Sequence, residues 1–222
     1  MAKLWWVILL AFCLAGVSGI EAEAGKHVEE EPVFVCRHLS TAVAQKITGL
    51  SYRKGCPVGY QDLRLVEVGY WDFSGQPRQG ELIVHASVAR EVRDIFMELY
   101  EQKYPIAKMR LIDEYGADDM RSMADNNSSA FNYRVMSGTS GKLSRHAYGV
   151  AIDINPIQNP YVKNGLVKPA AGKAYLDRSQ VQPGMITKDD VVYDAFIRRG
   201  WSWGGEWSSL KDYQHFEKPI PR

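Results

Sequence analysis

A carboxylate, Asp153, lies inside the apolar run of residues 150–154, which alternates as a strand with one packed face. A carboxylate buried there without a partner would cost several kcal/mol. The partner is either an arginine such as Arg145 or a metal ion. His146 precedes Asp153 by seven residues, and Gly149 between them lets the backbone turn freely. Both side chains can therefore reach one metal ion.

A second polar motif follows near the end of the chain, where Asp212 and His215 are three residues apart. In a helical turn they would share one face, with His215 on the metal ion and Asp212 beside the reacting water. Three protein ligands and one open position are typical of a catalytic zinc site, and a nearby carboxylate can then act as general base and later as general acid. The alternative is an Asp and a His in a surface turn.

Two further polar residues precede these motifs. Arg134 lies in the predicted strand 130–136, where it can bind a substrate carboxylate or stabilise an oxyanion. The alternative is a structural ion pair with one of three nearby carboxylates, namely Asp118, Asp119 and Asp125. Ser144 either donates a hydrogen bond to substrate or caps a turn.

Aromatic residues surround a pair of glycines just before Asp212. We expect Trp203 and Trp207 to line a substrate cleft, although a place in the core is an equal alternative for either. Glu206 lies in the same loop and is a rival general base.

The N-terminal segment predicts export. Residues 4–17 carry no charge and are too few to span a bilayer comfortably, so residues 1–24 are predicted to be a signal peptide and 25–32 a polar leader. An uncleaved membrane anchor is the alternative. After cleavage we expect no stable membrane span and a periplasmic or secreted protein. Cys36 and Cys56 then form an even pair, which predicts a disulfide bond rather than two independent thiols.

One domain is expected over residues 33–222, with an α+β fold in which helices flank a mainly antiparallel sheet. The net charge of +1 gives no basic field for nucleic acid. The predicted elements are a helix over 35–47, strands over 65–71, 82–84, 107–112, 130–136 and 150–154, a helix from Ser87 that Pro105 stops, a segment over 156–184 that is mostly loop, and a helix that begins near Thr187 and Asp190 and ends at Gly200.

Two motifs resemble the M15 zinc peptidases: SRHAYGVAID at residues 144–153 and DYQHF at 212–216. Residue types, spacing and chain order agree, over a region of about 131–217. The resemblance also extends to the run GWSWGGEW at 200–207, which is similar to the endopeptidase branch. Gln214 departs from the proline that endopeptidases often carry there.

This resemblance implies a fold like that of the hedgehog domain and the D-Ala-D-Ala peptidases, with a zinc ion at the sheet. The implied zinc ligands are His146, Asp153 and His215, and the implied catalytic residues are Asp212 and Arg134. The implied activity is hydrolysis of peptidoglycan stem peptides or muropeptides next to a D-amino acid, with the L-Ala–D-Glu bond as the first candidate. A D-Ala-D-Ala carboxypeptidase is the alternative activity, and a non-catalytic, zinc-stabilised cell-wall binding module is the alternative class.

Overall fold

The computed structural model describes residues 31–136 and 139–219. The predicted signal peptide, 1–24, and most of the polar leader lie outside the described residues. Among the helices that are described, none has the length and apolar character needed to cross a lipid bilayer.

The secondary structure is α+β, as predicted. Its regular elements in chain order are β1 (Val35–His38), α1 (Thr41–Ile47), β2 (Leu63–Trp71), β3 (Pro77–His85), α2 (Ala86–Glu101), β4 (Lys108–Met109), α3 (Asp119–Ala124), β5 (Asn127–Ser128), β6 (Ala151–Asp153), β7 (Tyr161–Lys163), β8 (Leu166–Lys168), α4 (Val191–Ile197), β9 (Ser202–Trp203), β10 (Lys211–Asp212) and β11 (His215–Glu217). The strands form several small sheets, and every strand pair in the described residues is antiparallel except β4 with β5.

A long hairpin of β2 and β3 supports the N-terminal half, with β1 on its outer edge. Because successive side chains of a strand point to opposite faces, Val66 and Val68 pack on α2, while Leu63 and Leu65 face a second cluster that includes Ile47. The hairpin is therefore covered on both faces. The face against α2 continues into the main core of the molecule, which also receives the apolar side chains of β6 and β11.

Two local predictions are wrong. The apolar pattern of 35–47 is divided between strand β1 and helix α1, because Ser40 caps the helix by accepting a hydrogen bond from Val43 N. Residues 130–136 form no strand ladder, since their backbone groups bond to separate segments. The segment 156–184 is mostly loop, as predicted, and contains the short hairpin of β7 and β8.

The predicted disulfide bond is also wrong, because Cys36 and Cys56 are free thiols. Cys36 packs on the main core, where its thiol donates a hydrogen bond to Ala89 O at 3.1 Å. Cys56 packs against the second cluster. A disulfide needs its two Cβ atoms about 4 Å apart, and the hairpin separates these clusters.

Candidate metal centre

Two distant motifs meet on adjacent strands. His215 on β11 lies directly opposite Asp153 on β6, so both side chains project from the same face of the sheet. The neighbouring pair, Phe216 and Ile152, points the other way into the core with no exposed surface. His146 lies in a single 3-10 turn before β6. The side chains of His146, Asp153 and His215 are all buried, and one potential ligand atom of each lies within 4.8 Å of the others.

Gly149 makes the approach to β6 possible. It ends the 3-10 turn with φ at 68°, a left-handed conformation that costs other L-residues energy. A Cβ atom there would lie 2.6 Å from His85 N, whose N–H donates to Gly149 O at 2.8 Å. The glycine therefore fixes the histidine turn against the end of β3.

The hydrogen bonds of the two imidazoles identify which nitrogens face inward. His146 Nδ1 lies 2.5 Å from Ala130 O, and His215 Nε2 lies 3.1 Å from a Glu217 carboxylate oxygen. Both partners only accept, so these outer nitrogens are the donors. In neutral imidazoles the inner nitrogens, His146 Nε2 and His215 Nδ1, are then acceptors, and they lie 3.2 Å apart.

The carboxylate of Asp153 completes a group of three acceptors. One oxygen lies 2.9 Å from His215 Nδ1 and the other 3.3 Å from His146 Nε2. Three lone pairs directed at one point repel one another unless a metal cation lies between them or a proton on His215 Nδ1 is shared with Asp153. A tetrahedral ion with bonds of about 2.0–2.1 Å would separate neighbouring ligand atoms by about 3.4 Å. The donor set thus fits a small divalent cation.

The electrostatics of the cluster agree with this assignment. Burial alone would raise the pKa of Asp153, but the adjacent His146 and His215 hold it far below its usual range. Burial alone would lower the pKa of His215, but its hydrogen bonds to Asp153 and Glu217 raise it to about 10. Without a metal ion the carboxylates draw a proton onto the imidazole, so the cluster attracts positive charge.

The predicted helical turn with Asp212 and His215 on one face is wrong. Asp212 ends β10, His215 begins β11, and two residues connect the short strands. Burial raises the pKa of Asp212 to about 6, against the opposing charge of His215. Gln214 donates a hydrogen bond to Asp212 Oδ1 at 3.1 Å. A proline at this position could not make that bond, so the departure from the endopeptidase motif gives Asp212 a partner.

Arg134 and Ser144 lie beside the histidine turn, joined by a backbone hydrogen bond of 3.0 Å from Ser144 N to Arg134 O. The guanidinium of Arg134 forms an ion pair with Asp119, which was one of the predicted alternatives. The hydroxyl of Ser144 accepts a hydrogen bond from His146 N at 3.3 Å, and so caps the turn. Their contacts with substrate remain predictions.

The loop before Asp212 separates the two predicted aromatic residues. Trp207 is partly exposed, and its ring lies 5.4 Å from that of His215, so it borders the site. Trp203 is only 5% exposed and packs in the main core, with its indole N–H donating to Tyr213 O. The structure therefore favours the core alternative for Trp203. Glu206, the rival general base, accepts a hydrogen bond from Tyr193.

Sequence reasoning missed Glu217 and the carbonyl of Ala130, the two groups that orient the imidazoles. Glu217 also faces Arg145, with Nε and Oε1 3.6 Å apart. Arg145 therefore pairs with Glu217, and the partners of Asp153 are His146 and His215 instead of the arginine of the alternative interpretation. Alternation along a strand could have indicated Glu217, since it lies two residues after His215 on the same face. Because residues 212–215 were interpreted as a helical turn, this strand alternation was not considered.

A comparison with known protein families agrees with this geometry. Residues 137–218 match the model of the family described as D-alanyl-D-alanine carboxypeptidase, in peptidase family M15. No solved structure matches the chain. The matched region covers less than half of the chain, contains His146, Asp153, Asp212 and His215, and supports an M15 family peptidase.

Proposed function

We propose that the chain is an exported zinc metallopeptidase that hydrolyses peptidoglycan stem peptides or short peptides derived from them. The cleaved bond lies next to a D-amino acid, and the L-Ala–D-Glu bond is the first candidate. The observation that carries the proposal is the convergence of three acceptor atoms, from two motifs far apart in the chain, inside the region that matches the M15 family.

The zinc ligands in this proposal are His146 Nε2, His215 Nδ1 and a carboxylate oxygen of Asp153. When bound, zinc would act as a Lewis acid and lower the pKa of a coordinated water to about 7. Glu217 and Ala130 O hold the outer nitrogens of the two imidazoles, so the inner nitrogens keep their lone pairs for the metal ion.

Asp212 is the proton carrier. Its carboxylate accepts a proton from the water that attacks the peptide carbonyl, and then donates that proton to the nitrogen of the leaving amine as the C–N bond breaks. The pKa of about 6 that burial gives Asp212 lies close to neutral pH, which suits a group that must both accept and release a proton. Gln214 directs the carboxylate through its hydrogen bond to Oδ1.

Arg134 stabilises negative charge on the substrate. Its ion pair with Asp119 occupies only part of the five N–H donors of a guanidinium. The remaining donors are available for a substrate carboxylate or for the oxyanion that forms during attack. Trp207, partly exposed beside His215, forms one wall of the cleft.

A D-Ala-D-Ala carboxypeptidase is the second candidate, because the description of the matched family names that activity. Mass spectrometry of purified muropeptides after incubation with the zinc-loaded protein distinguishes the two. Release of a single D-Ala indicates the carboxypeptidase. Cleavage between L-Ala and D-Glu supports the endopeptidase.

A non-catalytic binding module is tested by Asp212→Ala. The enzyme hypothesis predicts that zinc content and fold survive while muropeptide cleavage falls by at least 100-fold, in the range expected for loss of a general acid–base. The control is Asp177→Ala, an exposed carboxylate whose hydrogen bonds are to the neighbouring Ser179 and Gln180. A wild-type protein that holds zinc but cleaves no muropeptide would favour the binding module.

Export rests on the uncharged run at residues 4–17 alone, because the free thiols of Cys36 and Cys56 give it no support. Fractionation of cells that express the full chain tests it. Export predicts a processed protein, shortened by about the length of a signal peptide, outside the cytoplasm.

A further inference from the structure

Asp212 is one member of a row of three side chains across a small sheet. The central strand of this sheet is β7, flanked by β10 and β8. Asp212 lies directly opposite Tyr161, and Tyr161 lies directly opposite Lys168. Residues that are directly opposite in antiparallel strands project from the same face. Asp212, Tyr161 and Lys168 therefore share one face.

The neighbouring row shows which side of the sheet is covered. Lys211, Val162 and Val167 form that row and project from the other face. Val167 is buried, and the ammonium of Lys211 donates to Gly205 O at 3.0 Å. Asp212 is close enough to His215 for the charge of His215 to act on it, so the candidate metal site lies on the side of the sheet from which the row of Asp212 projects.

The spacing of strands sets the distance along the row. Neighbouring strands lie about 4.8 Å apart, so about 10 Å separates the backbones of Asp212 and Lys168. A direct ion pair needs a nitrogen and an oxygen within about 4 Å. Tyr161 lies between the two. Burial raises the pKa of Tyr161, and the negative charge of Asp212 adds to that effect, as expected for neighbours on one face.

Lys168 has a charge that the protein does not use. It is partly buried, and its ammonium has no hydrogen bond or ion pair with any residue in the ranges 31–136 and 139–219. An ammonium in this position can accept an anionic ligand at little cost, because no internal pair must first be broken.

On the basis of the proposed function, we infer that Lys168 binds a carboxylate of the substrate. The ring of Tyr161 then packs against the part of the substrate peptide that connects this carboxylate to the cleaved bond. An extended peptide advances about 3.3–3.6 Å per residue. The separation of about 10 Å therefore corresponds to a carboxylate about three residues from the bond. This geometry selects an extended acidic peptide over a dipeptide, whose terminal carboxylate lies within one residue of its bond.

Equilibrium binding tests the inference without relying on turnover. The probes are a tetrapeptide that begins L-Ala–D-Glu and ends in D-Ala with a free carboxylate, and the same peptide with a C-terminal amide. Calorimetry on the zinc-loaded Asp212→Asn protein should show about tenfold tighter binding of the free acid, as expected for a charge-assisted contact. In the Asp212→Asn protein, Lys168→Gln should abolish the preference for the free acid over the amide, and Lys168→Arg should retain it.

The control is Lys188→Gln, which removes an exposed lysine with no ion pair in the described residues and should leave the preference unchanged. A free-acid preference that persists in Lys168→Gln, or no preference in the parent protein, overturns the inference. Kinetics separate it from the proposed function. Equal kcat/KM of the wild type for both peptides refutes the role of Lys168 alone, whereas Lys168-dependent binding without cleavage refutes the peptidase activity alone.

Discussion

Glu217 should control metal affinity although it is not a proposed ligand. Its carboxylate accepts the hydrogen bond of His215 Nε2 at 3.1 Å, and this bond keeps the lone pair of Nδ1 directed at the metal position. Loss of such a partner typically reduces metal affinity 10–100-fold, which corresponds to about 1.4–2.8 kcal/mol. Glu217→Gln keeps an acceptor oxygen but loses the charge, so we expect a loss of about tenfold. Glu217→Ala removes the acceptor and should cost about 100-fold.

Competition with a zinc chelator at neutral pH measures these dissociation constants. Glu67→Gln is the matched control, because its side chain is 22% exposed against 23% for Glu217 and each pairs with an arginine. Glu67 lies on β2, outside the metal centre, and its substitution should leave zinc affinity unchanged. Equal affinities for the wild type, Glu217→Gln and Glu217→Ala would refute the donor assignment of the two imidazoles.

Three further results are expected. Gly149→Ala should lower the free energy of unfolding by at least about 3 kcal/mol, because left-handed strain of about 1–2 kcal/mol adds to a Cβ contact of 2.6 Å with backbone. The control is Gly75→Ala, which has φ of 76° but open space around the new Cβ atom, and which should cost only the strain. The hydrogen bond from Arg199 holds the pKa of Glu98 below its usual value. The stabilisation that the Glu98 carboxylate contributes is therefore complete above the pKa of the unfolded state, and it is lost as pH falls through the pKa of the folded state. Finally, His146→Ala should reduce zinc content and melting temperature together.

Each of these expectations has a contradicting result. Equal urea midpoints for Gly149→Ala and Gly75→Ala would show that the histidine turn tolerates a Cβ atom. A stability difference between the wild type and Glu98→Gln that is as large at pH 3 as at pH 7 would contradict the pKa argument. Unchanged zinc content by elemental analysis in His146→Ala, measured beside His38→Ala as the control, would remove His146 from the ligand set.

The candidate metal site was accessible to sequence analysis because its chemistry is local. Asp153 inside an apolar run needs a partner wherever that run is buried, and His146 lies within reach across Gly149. Helix α4 could also be predicted, since Asp190 caps it by accepting from Tyr193 N and Gly200 follows its end. In each case neighbours in the chain supply the physical cause.

Where several structures satisfy one local pattern, prediction failed. The spacing of three positions from Asp212 to His215 suits a helical turn as well as two short strands, and the strands form because they pair with β7 and β6. The cysteines illustrate the same limit. Export chemistry allowed a bond between Cys36 and Cys56, but the hairpin directs them into different apolar clusters.

By itself, the sequence indicated which side chains could hold a cation and which carboxylate could carry a proton beside them, since ligand chemistry belongs to the residue type and to its nearest neighbours. Only the tertiary structure decided which nitrogen of each imidazole faces inward, that Glu217 orients His215, and that Lys168 shares a face with Asp212. These facts depend on strand register, which is fixed by pairing between segments far apart in the chain and leaves no mark in either segment alone.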